Sequence, residues 1–207
     1  MPTATTVPSP TLPCEPQIIG EIELRSLPGA GRSPQAIGAL GDRVYVANRT
    51  TDNVSVIEGG KVIAVIAVGD APVAVATDTE TGLAYVANER DHSISIISGD
   101  QVIATVPAPK DPACVASLGG RLYAGGRRDN VLAVLDGGTG EAIGSLPFEG
   151  HPGIFALAVN PATNLLYASV YDSVQIVDLR SLTVVAELVH DAYITLGADP
   201  IAGGFFV

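Results

Sequence analysis

The chain has no tryptophan, one methionine, four phenylalanines and two cysteines. Charge is scarce too: Asp, Glu, Lys and Arg make up 16% of 207 residues, with 11 Lys and Arg against 22 Asp and Glu. A net charge of −11 disfavours nucleic acid and anionic membranes as partners, because counterion release needs cations near phosphates. Cys14 and Cys114 stand a hundred residues apart, with no CxxC pattern or metal-type spacing. They read as two unpaired thiols, with a disulfide pinning the N-terminal tail as the alternative. No apolar run reaches the roughly 18 residues that a membrane-spanning helix needs. Nor does any twelve-residue window free of Gly, Pro and β-branched runs keep a 3.6-residue apolar period, so long helices are not expected.

What the chain does have is Val, Ile, Leu and Ala within a hydrophobic fraction of 47%, together with 23 Gly and 15 Pro. That mixture suits many short strands joined by tight turns. The first stretch, MPTATTVPSPTLPCEP, lacks the basic start and apolar core of a signal peptide. Residues 1–16 read as a Thr/Pro-rich linker biased to extended conformations. Linkers of this kind join surface-exposed domains to anchors. The expectation is an extracellular, cell-surface or periplasmic protein whose export segment lies upstream of Met1.

Residues 45–72, YVANRTTDNVSVIEGGKVIAVIAVGDAP, align without a gap to residues 85–112, YVANERDHSISIISGDQVIATVPAPKDP, with 11 of 28 positions identical. An aromatic marker recurs at Tyr45, Tyr85, Tyr123, Tyr167 and Phe206, spaced 40, 38, 44 and 39. A proline marker recurs at Pro34, Pro72, Pro112 and Pro152, spaced 38, 40 and 40. Each period holds four apolar runs bounded by Gly, Pro, Asp or Asn, which are strand signals. Many runs are apolar on both faces, as in sheets buried on both sides. Four antiparallel strands per period of about 40 residues predict an all-β protein, a β-propeller of four-stranded blades.

The motifs YVAN, NVSVIE and GDAP resemble the YVTN, or YncE-like, β-propeller repeat of bacterial proteins and archaeal surface-layer proteins. The resemblance runs over about residues 17–207 and is sharpest in the first two units; YAGG and YASV lack the Asn found at Asn48 and Asn88. It implies seven blades when complete. Here the expected whole blades are 34–67, 72–106, 112–148 and 152–189, with a partial blade at 193–207. The stretch 18–27 is expected to be a lone fourth strand. About four and a half blades result, with a five-bladed ring bearing a defective closing blade as the alternative. A closed ring would be a monomer, whereas an open stack would expose strand edges and associate.

The turns fit hairpins: Gly59-Gly60, Gly99-Asp100, Gly137 to Gly140 and Arg180-Ser181 link strands three and four of successive blades. DGGTGEAIGS lacks the Lys-Ser/Thr ending of a phosphate loop and sits at such a turn. Loops from strand four to the next strand one share a rim with loops from strand two to three. Six of the 11 basic residues and all three histidines fall on that rim. The binding candidates are Arg49, Arg90, His92, Arg127, Arg128, His151 and His190, facing an unknown protein or a small anionic ligand; the ordinary alternative is a solvated rim. Asp52, Asp91, Asp129 and Asp172 are expected to fix turns by bonding their own backbone two residues on.

His151 and His190 lie in consecutive loops beside Glu149 and Asp191, but no third ligand is evident, so no metal or other cofactor is expected. Propeller enzymes commonly set acid, Asn or His groups where strand one begins; here those positions are Gln35, Val73, Ala113, Gly153 and Tyr193. No paired carboxylates or nucleophile–base set appears. NRT at Asn48 and NVS at Asn53 match the glycosylation pattern but are ordinary repeat positions. The reading is a non-catalytic binding or surface-scaffold propeller. Its alternatives are a lactonase-like or haem d1-type propeller with its active residues elsewhere, and single-stranded nucleic-acid binding.

Overall fold

The computed structural model describes residues 21–24, 27–29, 31–189, 197–198 and 205–206. It contains four four-stranded antiparallel sheets, each a simple meander, and no helix among the described residues. Blade one holds β1 (Pro34–Leu40), β2 (Arg43–Asn48), β3 (Asn53–Glu58) and β4 (Lys61–Ala67). Blade two holds β5 (Pro72–Asp78), β6 (Leu83–Asn88), β7 (Ser93–Ser98) and β8 (Gln101–Pro107). Blade three holds β9 (Pro112–Leu118), β10 (Arg121–Gly126), β11 (Asp129–Asp136) and β12 (Ala142–Pro147). Blade four holds β13 (Ala156–Asn160), β14 (Leu165–Ser169), β15 (Ser173–Asp178) and β16 (Thr183–Val189). The first strands β1, β5, β9 and β13 lie side by side in that order. A short pair, β17 (Gly197–Ala198) with β18 (Phe205–Phe206), follows, and β17 lies beside β13 where a fifth first strand belongs. The architecture is all-β, about four blades of a propeller.

The core lies between blades, which explains why the strands are apolar on both faces. Tyr45, Val54 and Val56 of blade one pack on Ala84, Val86 and Ile97 of blade two. Tyr85, Ile94 and Ile96 pack on Leu122, Ala124 and Leu135. Tyr123, Leu132 and Val134 pack on Leu166, Ala168 and Val177. The repeated tyrosine adds a polar tie, since a buried phenol needs a partner: the Tyr45 hydroxyl donates to the Gly99 carbonyl in the next blade at 2.9 Å. Cys114 is a free thiol inside the third of these clusters. Its partner in the alternative disulfide, Cys14, lies outside the described residues.

Each outer strand carries one bulge, at Ile63, Ile103, Ile143 and Val185, the residue left unpaired opposite the third strand. Bulges of this kind twist an edge and discourage edge-to-edge pairing.

Two expectations change. The described part of 18–27 carries no strand; instead Leu24 and Leu27 pack on Val46, Ile57 and Val62, covering the outer face of blade one. That face would otherwise leave valine and isoleucine in water, so the segment follows the apolar surface, not a sheet edge. Blade four begins its first strand at Ala156, not at Pro152. The chain there runs tightly over blade three: a Cβ on Gly153 would lie 2.2 Å from the Arg127 carbonyl oxygen.

Candidate functional site: the loop rim

The rim is built on repeated left-handed residues. Ser33, Ala71 and Asp111, each just before a marker proline, have φ of 56°, 56° and 49°. Their carbonyls accept from the amides of Arg49, Glu89 and Arg127, the residues that follow each second strand. This bend turns the junction amides outwards, where side chains of both flanking blades meet them. Ala71 donates to Asp52 of the preceding blade at 2.9 Å, and Asp70 donates to Asp91 of the following blade at 2.8 Å. At the next junction Asp111 donates to His92 Nδ1 at 3.0 Å and Lys110 to Asp129 at 3.4 Å. The aspartates were expected to fix their own turns; Asp52, Asp91 and Asp129 instead bond the junction backbone. They therefore hold blade to blade.

Beneath this rim lies a second repeated device. Asn48 Nδ2 donates to Asn53 Oδ1 and Ser55 Oγ, each at 2.9 Å, and Asn88 Nδ2 donates to Ser93 and Ser95 Oγ, each at 3.0 Å. All six residues are buried. The Asn of YVAN is thus an internal clip from strand two to strand three, and burial leaves no room for a glycan on Asn48 or Asn53 in the folded chain. In blade three the same positions are Gly126, Val131 and Ala133, so donor and acceptors vanish together, as buried polar groups must. In blade four Val170 replaces the Asn, and Gln175 supplies the donor to Ser173 Oγ at 3.0 Å.

The candidate cations are brought together in part. Arg49, Glu89 and Arg127 occupy equivalent positions on three consecutive blades, and both arginines donate to the Glu89 carboxylate, one to each oxygen. Glu89 has a side chain only 15% exposed. Burial works to raise its pKa, but the hydrogen bond from Arg49 and the charges of Arg127, Arg49 and Arg90 outweigh it, and the carboxyl lies below its ordinary value. Arg90 pairs with Asp70 at 3.5 Å and Arg128 with Asp111 at 3.0 Å. His92 Nδ1 accepts an amide hydrogen, so the Asp111 oxygen 3.5 Å from it is a neighbour, not a bonded partner.

His151 stands apart, at the entrance to blade four. Gln175 Nε2 approaches its Nε2 at 3.2 Å, and Asp172 Oδ1 lies 3.2 Å from its Nδ1. Glu187 Oε1 lies 3.5 Å from the same Nε2 and accepts from Gln175 at 2.8 Å, so the ring stands between two carboxylates. His151 also borders an open hollow of about 490 Å³ shared with Arg128, Asp129 and Asn130. His190 and Tyr193 lie outside the described residues. Among the described residues no three His, Cys, Asp or Glu side chains are grouped to hold a metal ion, and no helix is long and apolar enough to cross a membrane.

Sequence reasoning located the charged rim but missed its pairing. Partners 17 to 40 residues apart meet only because blades stack. The signal available was the alternation Arg49, Glu89, Arg127 at one repeat position.

No protein-family model matches the chain, and neither does any curated protein. Solved structures do resemble it. Kuenenia stuttgartiensis hydrazine synthase superimposes with a TM-score of 0.72 at 24% identity, over 89% of this chain and 55% of that one. The WD40 β-propeller domain of Doa1 superimposes with a TM-score of 0.69 at 13% identity, over 82% of this chain and 58% of that one. At such identities the likeness establishes the propeller fold alone. The chain spans little more than half the length of either.

Proposed function

We propose that the chain is a non-catalytic binding or surface-scaffold module of YVTN type that engages a protein partner through its loop rim. The observation that carries this reading is the division of labour within the repeat. Strands recur in all four blades, and junction bonds and clips recur between blades one and two, whereas the loop tips RTTD (49–52) and ERDH (89–92) differ on the same backbone. A rigid frame bearing divergent loops is a general design for recognition.

The ion pairs narrow the kind of partner. Each described rim candidate already has an acidic or amide neighbour on this chain, so a free anion would have to displace a carboxylate. A protein surface of mixed charge can match alternating Arg and Asp without breaking those pairs. Val73, Ala113 and Gly153 at the first-strand starts offer no acid, base or nucleophile, which favours binding over catalysis. Export through an upstream segment, with residues 1–16 as a tether, belongs to the same proposal.

The test is capture from a native cell-surface extract by the full chain and by two double variants. Arg90→Ala/Arg128→Ala alters exposed rim side chains; Arg43→Ala/Lys61→Ala alters the opposite face. A partner captured by wild type and by the opposite-face variant, and lost by the rim variant, supports the reading. Capture that survives the rim change and fails with the other overturns it.

A further inference from the structure

On the face opposite the rim, between blades three and four, lies a cavity of about 330 Å³. Arg121, Arg180, Tyr123 and Asn164 supply its polar wall, and Leu118 and Leu179 its apolar part. No carboxylate lines it. We propose that this cavity binds a phosphate group.

Arg43 in blade one is the counterpart of Arg121 in blade three, and each begins its second strand. Arg43 stands opposite Glu58 in the sheet register and donates to it at 2.9 Å. Arg121 stands opposite Asp136. Aspartate is one methylene shorter, and Asp136 turns into its own hairpin. Its Oδ1 accepts from the Gly138 and Thr139 amides at 3.0 and 2.8 Å, and from the Thr139 hydroxyl at 3.1 Å. Those bonds hold its carboxyl below the ordinary pKa. Asp136 is committed to the turn, and Arg121 has no ion-pair partner among the described residues.

The hairpin on the other side of the cavity differs as well. At the first blade joint the compact Gly99-Asp100 turn closes in: Tyr45 donates to the Gly99 carbonyl, and a Cβ on Gly99 would lie 3.3 Å from the Arg43 guanidinium. At the joint of blades three and four the loop between β15 and β16 is four residues long, Leu179 to Leu182. It sets Arg180 beside the cavity, with its own backbone amide bonded to Asp178 and its guanidinium without an ion pair among the described residues. The space that a glycine turn fills elsewhere is open here. Tyr123, whose phenol lies near Arg121, and the Asn164 amide complete a set of donors around it.

Two guanidiniums, a phenol and a carboxamide offer hydrogen bonds from several directions, which suits a tetrahedral oxyanion. On a chain of net charge −11, the general field repels anions, so attraction must come from such a local group. The volume is that of several waters and admits a phosphate monoester as well as the free ion. The site shares no residue with the loop rim, so its fate and that of the rim proposal are independent.

The experiment is calorimetric titration of the full chain at low ionic strength with inorganic phosphate, with glycerol phosphate and with acetate. Saturable binding of the two phosphates, at least about tenfold stronger than acetate, is expected. Arg121→Gln and Arg180→Gln should each weaken it by about tenfold or more, since each removes a charged donor from an exposed position. Arg90→Gln/Arg128→Gln on the rim should leave it unchanged. Glycerol phosphate binding more tightly than phosphate identifies an ester as the ligand; equal binding identifies the free ion. Absence of saturable phosphate binding overturns the proposal, as does wild-type affinity in the Arg121→Gln/Arg180→Gln double variant.

Discussion

Gly31 and Asn48 face each other at the first junction: a Cβ on Gly31 would lie 2.1 Å from the Asn48 amide nitrogen. Gly69 stands over Asn88 in the same way, at 2.7 Å. In the third unit the glycine is at the strand end: a Cβ on Gly126 would run into the carbonyl of Lys110 in the junction. In the first two units the junction glycine therefore makes room for the buried asparagine. Gly31→Ala should destabilise the fold by about 1–3 kcal/mol through overpacking. Asn48→Gly removes the clash together with the clip to Asn53 and Ser55, so in urea denaturation the double variant should be less damaged than the sum of the two single ones.

The buried clips predict a second departure from additivity. Asn88→Ala strands the Ser93 and Ser95 hydroxyls and should cost about 1–3 kcal/mol. Changing all three residues to alanine, towards the apolar set of blade three, should cost less than the three single changes together. Urea midpoints of the four variants measure this directly.

Glu89 links stability to pH. Its folded pKa is depressed, so its contribution is fully present above the unfolded value of 4.5 and is lost as pH falls through the folded value. Glu89→Gln should therefore lower stability at neutral pH and flatten the decline below about pH 4.5. A loss of about 1 kcal/mol at pH 7 is expected, because both arginines remain partly solvated. Thermal melts from pH 3 to 7 provide the comparison.

Cys114 should be chemically silent while the chain is folded. Burial raises its thiol to about 12, although the Gly125 backbone and the charge of Arg127 pull the other way. The reactive thiolate is then negligible at pH 8. Iodoacetamide followed by peptide mapping should label Cys114 only after denaturant is added, and the mapping keeps it distinct from Cys14.

Much of the fold was legible because its periodicity is written locally. Strands, hairpin turns and the aromatic and proline markers each depend on neighbours within a few residues. The hairpin glycines Gly59, Gly60 and Gly99 have the positive φ their turns call for. What depended on stacking was not legible. Glu89 reads as one more rim acid until blades one and three bring Arg49 and Arg127 to it. Leu24 and Leu27 sit in a stretch with strand-like composition, yet the apolar face of blade one decides their place. Arg121 holds the repeat position of Arg43, but the single methylene between Glu58 and Asp136 leaves it without the matching pair.

The central claim is that partners meet the rim, and the chain's two lysines divide the question. Lys110 lies in a rim junction, and Lys61 begins the outer strand at the opposite end of blade one. Both are exposed. Amine-reactive cross-linking of the full chain to its captured partner, read by mass spectrometry, should join the partner to Lys110 and leave Lys61 unlinked. Cross-links concentrated at Lys61, with Lys110 free, would contradict the account.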